Sequence, residues 1–315
     1  MKLEDLNTSK SKAVKPKKAR NLKHPKEEAP NSPTDSRIRI VNIALVVFIL
    51  GFVLCITSLI WYYMQAKASM QTVSKYAPSI VLNEDSVAAL EQNKELTMVD
   101  VRGTWIWDRY VDAYLKNPDC IGWIQIPNTT IDYPIAHSVE SPDYYLHRDL
   151  DKNYSFPGTI FADTDSNIET LSNNVTLYGH HMRNGSMFAS LEKYEDDKYY
   201  KKHKTIYLDT IHGHYTYEVI AAFRISADND FKYTSLTEAD SLDEVTKWIN
   251  EIAARSYIKD MDATENDKFI TLSTCDYHER NGRFVVVAKQ INNSDDYQVN
   301  YITLDEYLST KKGEK

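Results

Sequence analysis

One cysteine and one arginine stand at neighbouring ends of two predicted strands, and together they have the chemistry of a nucleophile beside a fixed positive charge. Residues 270–275 form an apolar, β-branched run that ends in Cys275, and a second such run begins at Arg283 after a short polar loop. The thiolate is the attacking form of cysteine, and a nearby guanidinium stabilises it and offers donors to an oxyanion. The alternative is that Cys275 is a small apolar core residue, as many unpaired cysteines are.

A histidine at the tip of another predicted strand supplies the second part of a thiol-based site. Residues 175–178 form a short apolar run, and Gly179 follows and leads directly to His180. A cysteine with a histidine encoded elsewhere is the minimum set for thiol acyl transfer. The adjacent His181 competes with His180, because neighbouring side chains of a strand point to opposite faces and only one of the two can meet Cys275.

The motifs around these residues resemble the class B sortases, which are cysteine transpeptidases of Gram-positive cell surfaces. The resemblance is carried by Tyr-Gly-His-His-Met at residues 178–182, by Thr-Leu-Ser-Thr-Cys at residues 271–275 and by the Arg that opens the Val-rich strand. Further segments resemble the family in the same order along the chain, at residues 122–127, 131–135, 144–146, 158–161 and 184–188. The similarity covers roughly residues 121–291.

Matching by motif implies that Cys275 is the nucleophile, His180 the general acid or base and Arg283 the stabiliser of the oxyanion. The thiol would hold the acyl group as a thioester, and the imidazole would protonate the departing amine and deprotonate the incoming one. Ser273 shares the strand face of Cys275 and is a candidate substrate-binding hydroxyl or an ordinary strand hydroxyl. The backbone N–H of Asp276 is a candidate second donor to the oxyanion.

Other reactive side chains near these motifs are weaker candidates. His278 follows Cys275 closely, but it lies in a loop, where histidines are usually solvated. Arg280 belongs to the same polar turn, whereas Arg283 begins a strand and is better preorganised. We expect Cys120 to be buried at a strand edge and not to form a disulfide with Cys275, because that bridge would block the chemistry.

The sequence predicts neither a metal site nor a cofactor. His212 and His214 share one side of a possible strand, but no zinc pattern such as C-x-x-C or H-E-x-x-H accompanies them. Residues 163–167 imitate the start of a calcium loop, yet the Gly and the acidic residue that such a loop requires further on are missing. We therefore predict a turn there.

A long uncharged segment near the N-terminus predicts a membrane span. Residues 40–64 carry no charged side chain, and a helix of that length extends roughly 37 Å, enough to cross a hydrocarbon core of about 30 Å. Trp61, Tyr62 and Tyr63 stand where an interfacial aromatic belt is expected. A cleaved signal peptide is the alternative, with residues 66–68 as a weak cleavage pattern, but its apolar core would be shorter.

The distribution of charge predicts how the chain is oriented. Residues 1–39 carry eleven Lys or Arg against five Asp or Glu and have no apolar periodicity, so we expect a disordered cytoplasmic segment. Beside a span, topology explains this basic arm more simply than nucleic-acid binding does. Because the whole chain has a net charge of −8, the part beyond the span is acidic and is expected outside the cell, where it suits a cationic peptide or amine.

The remaining patterns predict a mainly β fold with added helices. Eight short apolar runs separated by turns indicate a closed barrel over residues 118–292. Ser241 and Glu244 form a capping-box pattern before an apolar stripe of helical period, which places a helix between the sixth and seventh strands. The resemblance implies further helices on the barrel, and we expect them, with a linker, in residues 65–117. Residues 293–315 form a polar tail that we leave unassigned.

By resemblance, the chain is predicted to cut a sorting motif in secreted proteins and to join the new carboxyl end to an amine of a peptidoglycan precursor or cross-bridge. Two alternatives stay open. The acyl acceptor could instead be a lysine of a pilin subunit, or the barrel could be an inactive surface scaffold. The intact set of Cys275, His180 and Arg283 argues against the scaffold, whereas nothing in the sequence separates the two acceptors.

Overall fold

The computed structural model describes residues 33–78, 84–168, 171–237, 240–278, 280–292 and 297–313. The chain divides into two units after Ser58, and each is described by itself. Helix α1 (Pro33–Tyr76) includes the predicted span at residues 40–64. Among the described residues it is the one helix that is long and apolar enough to cross a membrane. Most of the predicted basic segment, up to residue 32, lies outside the described residues.

Within the described residues, the second unit contains the end of α1, five further α-helices and eleven strands. The helices are α2 (Glu84–Asn93), α3 (Val111–Lys116), α4 (Asp197–Lys202), α5 (Leu242–Arg255) and α6 (Leu304–Gly313). The strands are β1 (Glu95–Val101), β2 (Thr104–Trp107), β3 (Cys120–Gln125), β4 (Asp132–Ala136), β5 (Ile160–Ala162), β6 (Asn174–Tyr178), β7 (Thr205–Thr210), β8 (Gly213–Ser226), β9 (Phe269–Asp276), β10 (Gly282–Asn292) and β11 (Gln298–Thr303). Short 3-10 helices occupy Asp108–Tyr110, Tyr144–His147 and Ala189–Glu195.

Strands β3 to β10 close into a barrel in the order β10-β8-β7-β3-β4-β5-β6-β9. This confirms the predicted eight-stranded barrel. Alternate side chains of each strand fill its interior, among them Leu177 of β6 and Leu272 of β9. The intervening residues of β8, β9 and β10 are apolar as well, because α5 covers the outer face of these strands. Burial on both faces explains why these strands read as continuous apolar runs.

Helix α5 lies between the sixth and seventh barrel strands, as predicted. Its first turn is closed by the expected capping box, in which Ser241 and Glu244 bond reciprocally to each other's backbone N–H groups. The apolar stripe then buries Val245, Trp248 and Ile252.

A second, three-stranded sheet lies outside the barrel, and no sequence pattern predicted it. Its strand order is β11-β1-β2, with β11 parallel and β2 antiparallel to β1. Within residues 65–117, where helices were expected, residues 104–107 form a strand instead, and the chain becomes helical only from Asp108. The unassigned tail supplies β11 and then α6, which buries Tyr307. Because β1 and β11 come from opposite ends of this unit, their pairing leaves no local signal.

A buried charge cluster fastens the segment after β2 to the barrel. The fully buried carboxylate of Asp209 accepts hydrogen bonds from Arg109 Nη1 at 2.9 Å and from the Tyr110 hydroxyl at 2.7 Å. Nδ1 of His214 lies 2.6 Å from the other carboxylate oxygen, and its Nε2 lies 3.3 Å from the Thr216 hydroxyl. Burial raises the pKa of Tyr110 well above its usual value, so this hydroxyl stays a donor. His214, considered above as a zinc ligand, therefore serves this cluster.

Replacing Asp209 with asparagine is expected to destabilise the protein by about 3–5 kcal/mol, because it removes the buried carboxylate that Arg109, Tyr110 and His214 contact. The free energy of unfolding of the full chain in detergent, measured by urea titration, gives the loss. Asp112→Asn is the matched control, since its partner Lys311 and its own carboxylate are exposed, and such a pair contributes about 0–1 kcal/mol. Equal losses in the two variants would contradict a stabilising role for the buried cluster.

Candidate active site

Cys275 and Arg283 lie directly opposite each other on two hydrogen-bonded strands. The antiparallel register of β9 and β10 pairs Cys275 with Arg283 and Ser273 with Val285. Opposed residues of an antiparallel pair share one face of the sheet, with Cβ atoms about 4.5–5.5 Å apart. This face is the outer one, because Val285 packs in the cluster beneath α5, whereas the neighbouring Phe284 fills the barrel interior. The register therefore brings a thiol and a guanidinium together on the outside of the barrel.

The guanidinium of Arg283 is half-buried and keeps N–H donors that could bind a substrate oxygen. Its Nη1 donates to the carbonyl oxygen of Gly282 at 3.0 Å, and no carboxylate among the described residues pairs with it. Arg224 on the next strand differs, since it contacts Glu195 at 2.7 Å and Asp276 at 2.8 Å. Of these two arginines, Arg283 is the one able to receive an anionic oxygen beside the thiol.

Ser273 lies on the same face as Cys275 and is engaged by a tyrosine from outside the barrel. The serine is buried, and its Oγ lies 2.9 Å from the hydroxyl of Tyr233, which belongs to the connection between β8 and α5. Burial raises the pKa of Tyr233, and the charge of Arg283 acts on it in the opposite direction. No sequence signal singled out Tyr233, because its approach to β9 depends on the tertiary path of that connection.

A second tyrosine extends the polar face on the other side of Cys275. Tyr178 at the end of β6 is paired with Ser273 in the parallel register of β6 and β9. Its hydroxyl donates to the carboxylate of Asp163 at 2.6 Å. Burial, followed by this hydrogen bond, raises the pKa of Tyr178. Counting back two residues from His180 would have found Tyr178, since alternate residues of a strand share a face.

The alternation of β6 also brings His180 to the outer side. Leu177 points into the barrel core, and a Cβ atom on Gly179 would lie only 2.4 Å from Cδ1 of Ile160 in the same core. Tyr178 and His180 therefore emerge on the opposite side, which is the side of Cys275.

The imidazole of His180 is held by the 3-10 helix that precedes β5. Its Nε2 lies 2.9 Å from the carbonyl oxygen of Leu146, and its ring stacks on His147 with centroids 5.0 Å apart. Burial lowers the pKa of His180, and the neighbouring His147 adds to this, while the Leu146 carbonyl opposes it. Within the described chain no hydrogen bond joins this ring to the thiol of Cys275. Such bonds often form only when substrate is bound.

His181 contacts the backbone of the cysteine and not its sulfur. Its Nδ1 lies 3.1 Å from the carbonyl oxygen of Cys275, and its Nε2 lies 3.7 Å from a carboxylate oxygen of Glu192. The ring also packs against Tyr277, with centroids 5.3 Å apart. The two adjacent histidines thus have different surroundings, as their alternation along the strand predicts.

The carboxylate of Asp276 is already engaged by the protein. It lies 2.8 Å from Arg224 Nε and 2.5 Å from Nδ1 of His278. Burial alone would raise the pKa of Asp276, but the hydrogen bonds from His278 and the charge of Arg224 outweigh it and lower the pKa. The group of Asp276 left to consider for substrate is its backbone N–H. The His278 side chain is 65% exposed, and Arg280 is exposed too.

The remaining cysteine of the barrel has no access to solvent. Cys120 is a free thiol on β3, as predicted, and burial raises its pKa to about 12. Cys275 is also free and is half-buried, so it is the more accessible thiol of the two. No group of three His, Cys, Asp or Glu side chains within the described ranges is arranged to bind a metal ion. The chemistry that this site supports is covalent acyl transfer through a thiol.

Comparison with known proteins agrees with this chemistry. The family model described as a sortase domain matches residues 124–291. Sortase B of Staphylococcus aureus is 33% identical over 178 residues, which cover 56% of this chain and 71% of that protein. A solved Staphylococcus aureus sortase B-substrate complex aligns with a TM-score of 0.59 at 26% identity, covering 73% of this chain and 97% of that one. A sortase B structure complexed with triglycine aligns with a TM-score of 0.58 at 27% identity, covering 73% and 98%.

Proposed function

Because the chain belongs to the sortase family and is a class B sortase, a cysteine transpeptidase of the cell wall, we propose that Cys275 attacks a peptide carbonyl in the sorting motif of a secreted protein. A carbon–sulfur bond forms as the carbon–nitrogen bond breaks, and the departing amine takes a proton. The thioacyl group then passes to an amine of a peptidoglycan precursor or cross-bridge. This second step releases the thiol and forms a new amide.

The observation that carries this proposal is the pairing of Cys275 with Arg283 on the outer face. A guanidinium at this position can stabilise the thiolate before attack and the tetrahedral oxygen after it, and it cannot act as a base because it remains protonated. The backbone N–H of Asp276 would be the second donor to that oxygen. The hydroxyl of Ser273, oriented by Tyr233, would bind the substrate backbone beside the thiol.

His180 would move the protons in both steps. It would give a proton to the departing amine and later take one from the incoming amine. Its location on the outer side supports this role, although its ring must swing away from Leu146 to approach the sulfur. The lowered pKa of His180 favours the neutral imidazole, which is the form that accepts a proton from the acceptor amine.

His180→Ala is expected to lower kcat by about 10²–10⁴-fold, the usual contribution of a general acid or base. His181→Ala is the matched control, since it removes the adjacent ring together with its contacts to the Cys275 carbonyl, Glu192 and Tyr277. Its effect on kcat is expected to be about tenfold or less, because the variant keeps both the Cys275 thiol and the His180 imidazole. Steady-state kinetics with a peptide substrate measures both. An inactive His181 variant beside an active His180 variant would reverse the assignment.

The same proposal includes the position of the chain at the membrane. Residues 1–39 would be cytoplasmic, residues 40–64 would cross the lipid, residues 65–117 would link the span to the barrel, and residues 118–292 would form the catalytic barrel outside the cell, with 293–315 as an appended tail. The apolar length of α1 and the basic residues before it support this orientation.

A transfer assay on the full chain in detergent tests the proposed reaction. The protein is incubated with triglycine and with a library of peptides that resemble C-terminal sorting signals, and mass spectrometry detects the thioacyl adduct on Cys275 and the product amide. Triglycine is chosen because a solved sortase B structure holds it. Transfer to triglycine supports a cell-wall acceptor. Transfer only to a lysine side chain favours the pilin alternative, and no adduct with any peptide contradicts the proposal.

A further inference from the structure

A barrel connection runs along helix α1 toward the apolar part of that helix. This connection, residues 148–159, joins the 3-10 helix Tyr144–His147 to the start of β5. Near the C-terminal end of α1, Lys75 Nζ and the Tyr76 hydroxyl donate hydrogen bonds to the Asp151 carboxylate at 2.6 Å and 2.9 Å. One turn earlier, the Thr72 hydroxyl lies 3.3 Å from the Asp149 carboxylate. These contacts fix one end of the connection on the helix.

The other end of the connection reaches the aromatic group at the end of the predicted span. The ring of Phe156 lies 6.4 Å from that of Trp61 and 6.1 Å from that of Tyr62, both edge-on. Between Tyr62 and Lys75 the helix rises about 20 Å. The connection therefore extends down the helix by this distance, and Phe156 lies at the level of Trp61.

Three aromatic side chains around this level are exposed. Trp61 is 50% exposed, Phe156 is 38% exposed and Tyr154, two residues away, is 60% exposed. Trp and Tyr prefer the boundary between lipid headgroups and acyl chains, where the apolar ring and the polar tip are both satisfied. Because Trp61 stands where the uncharged segment ends, its neighbours on the barrel reach the same boundary.

We propose that Trp61, Tyr154 and Phe156 form an aromatic rim that enters the headgroup region of the membrane and holds the barrel against the lipid surface. This inference rests on the proposed anchoring through residues 40–64. It adds a second lipid contact, made by the barrel itself, to the contact made by the span. The occupant of the surface is lipid, because the rim is continuous with the segment that crosses the bilayer.

The rim also connects to the candidate active site. Tyr154 stacks on His147 with centroids 6.3 Å apart, and His147 stacks on His180 at 5.0 Å. Two ring contacts thus separate the rim from the proposed general acid or base. A barrel docked through this rim presents the His180 side of the site close to the lipid surface, where substrates attached to the membrane are within reach.

The opposite side of the barrel provides a control position. Ser69 and Val73 of α1 line a small cleft with residues of β4 and β5, whereas α5 packs on β8 and β10, which lie across the barrel from β5 and β4. Leu242, the first residue of α5, is 58% exposed. It matches Tyr154 in exposure but belongs to the side that the rim turns away from the membrane.

Spin labels on single cysteines of the full chain test the rim. The chain carries Cys55→Ala and Cys275→Ala, while the unreactive Cys120 is kept, and a label is placed at Tyr154→Cys, Phe156→Cys or Leu242→Cys. A fourth protein keeps Cys55 as the labelled site in the span. Each is reconstituted in phosphatidylcholine vesicles containing phosphatidylglycerol, and collision with oxygen is compared with collision with a water-soluble nickel chelate.

The labels at residues 154 and 156 are expected to collide with the nickel chelate several-fold less than the label at residue 242, and more with oxygen. Equal collision rates at all three positions, with the Cys55 label protected by lipid, would overturn the rim and leave the anchor intact. A Cys55 label that the chelate reaches freely would instead contradict the anchoring on which the rim rests. Circular dichroism of each labelled protein checks that the fold is retained.

Discussion

Replacing Cys275 with alanine is expected to abolish both the thioacyl adduct and the transfer product, a loss of at least about 10³-fold in kcat/KM. The reason is that Cys275 is the thiol opposite Arg283, and the neighbouring hydroxyl of Ser273 is a far weaker nucleophile at neutral pH. The measurement is single-turnover mass spectrometry of the protein with its best peptide, followed by steady-state transfer to triglycine.

Cys120→Ala is the matched control for the loss of a thiol. Cys120 is buried on β3, and burial raises its pKa to about 12, so we expect its removal to leave the adduct on Cys275 unchanged. The alanine creates a small cavity, which costs about 1 kcal/mol of stability at most, and transfer is therefore compared per folded molecule. Turnover that persists without Cys275, or an adduct found on Cys120, would exclude Cys275 as the nucleophile.

The barrel could be predicted from the sequence because its signals are local. Each strand reads as a short apolar run between turns, and the helix between the sixth and seventh strands is indicated by the Ser241 and Glu244 capping box. The second sheet had no such signal. The parallel pair of β1 and β11 joins distant parts of the chain, and β11 is mostly exposed, so neither a buried apolar run nor a turn reports it.

The same distinction applies to the candidate site. Cys275 and Arg283 flank a single turn, so the hairpin that pairs them is visible in the sequence. Tyr233 and Asp163 approach from connections between elements, and their contacts with Ser273 and Tyr178 depend on how those connections fold over the barrel. Sequence reasoning therefore found the groups proposed to carry the chemistry and missed the groups that orient them.

The two histidines show where strand periodicity is sufficient and where it is not. Alternation separates His180 from His181 and assigns them to different sides, and the two rings have different contacts. It does not give the direction of the His180 ring, because that ring bonds to Leu146, which lies outside the strand. The orientation of a side chain at a strand end is decided by whatever element packs beside it.

Arg283→Ala is expected to lower kcat by about 10²–10³-fold, with a smaller change in KM. The reason is that the guanidinium is proposed to stabilise negative charge that develops only in the transition state. Arg283→Lys keeps the positive charge but loses the planar pair of donors, and we expect its kcat to lie between those of the wild type and the alanine variant. Steady-state transfer to triglycine gives both constants.

Arg280→Ala is the matched control, because it separates the specific role of Arg283 from a general effect of positive charge near the thiol. Arg280 lies in the same turn and is exposed, and its charge is screened by solvent, so its removal is expected to change kcat by less than about twofold. A larger loss in the Arg280 variant than in the Arg283 variant would transfer the oxyanion role to Arg280. If the lysine variant kept full activity, a positive charge opposite Cys275 would be sufficient. The planar pair of donors of Arg283 would then not be needed for the reaction.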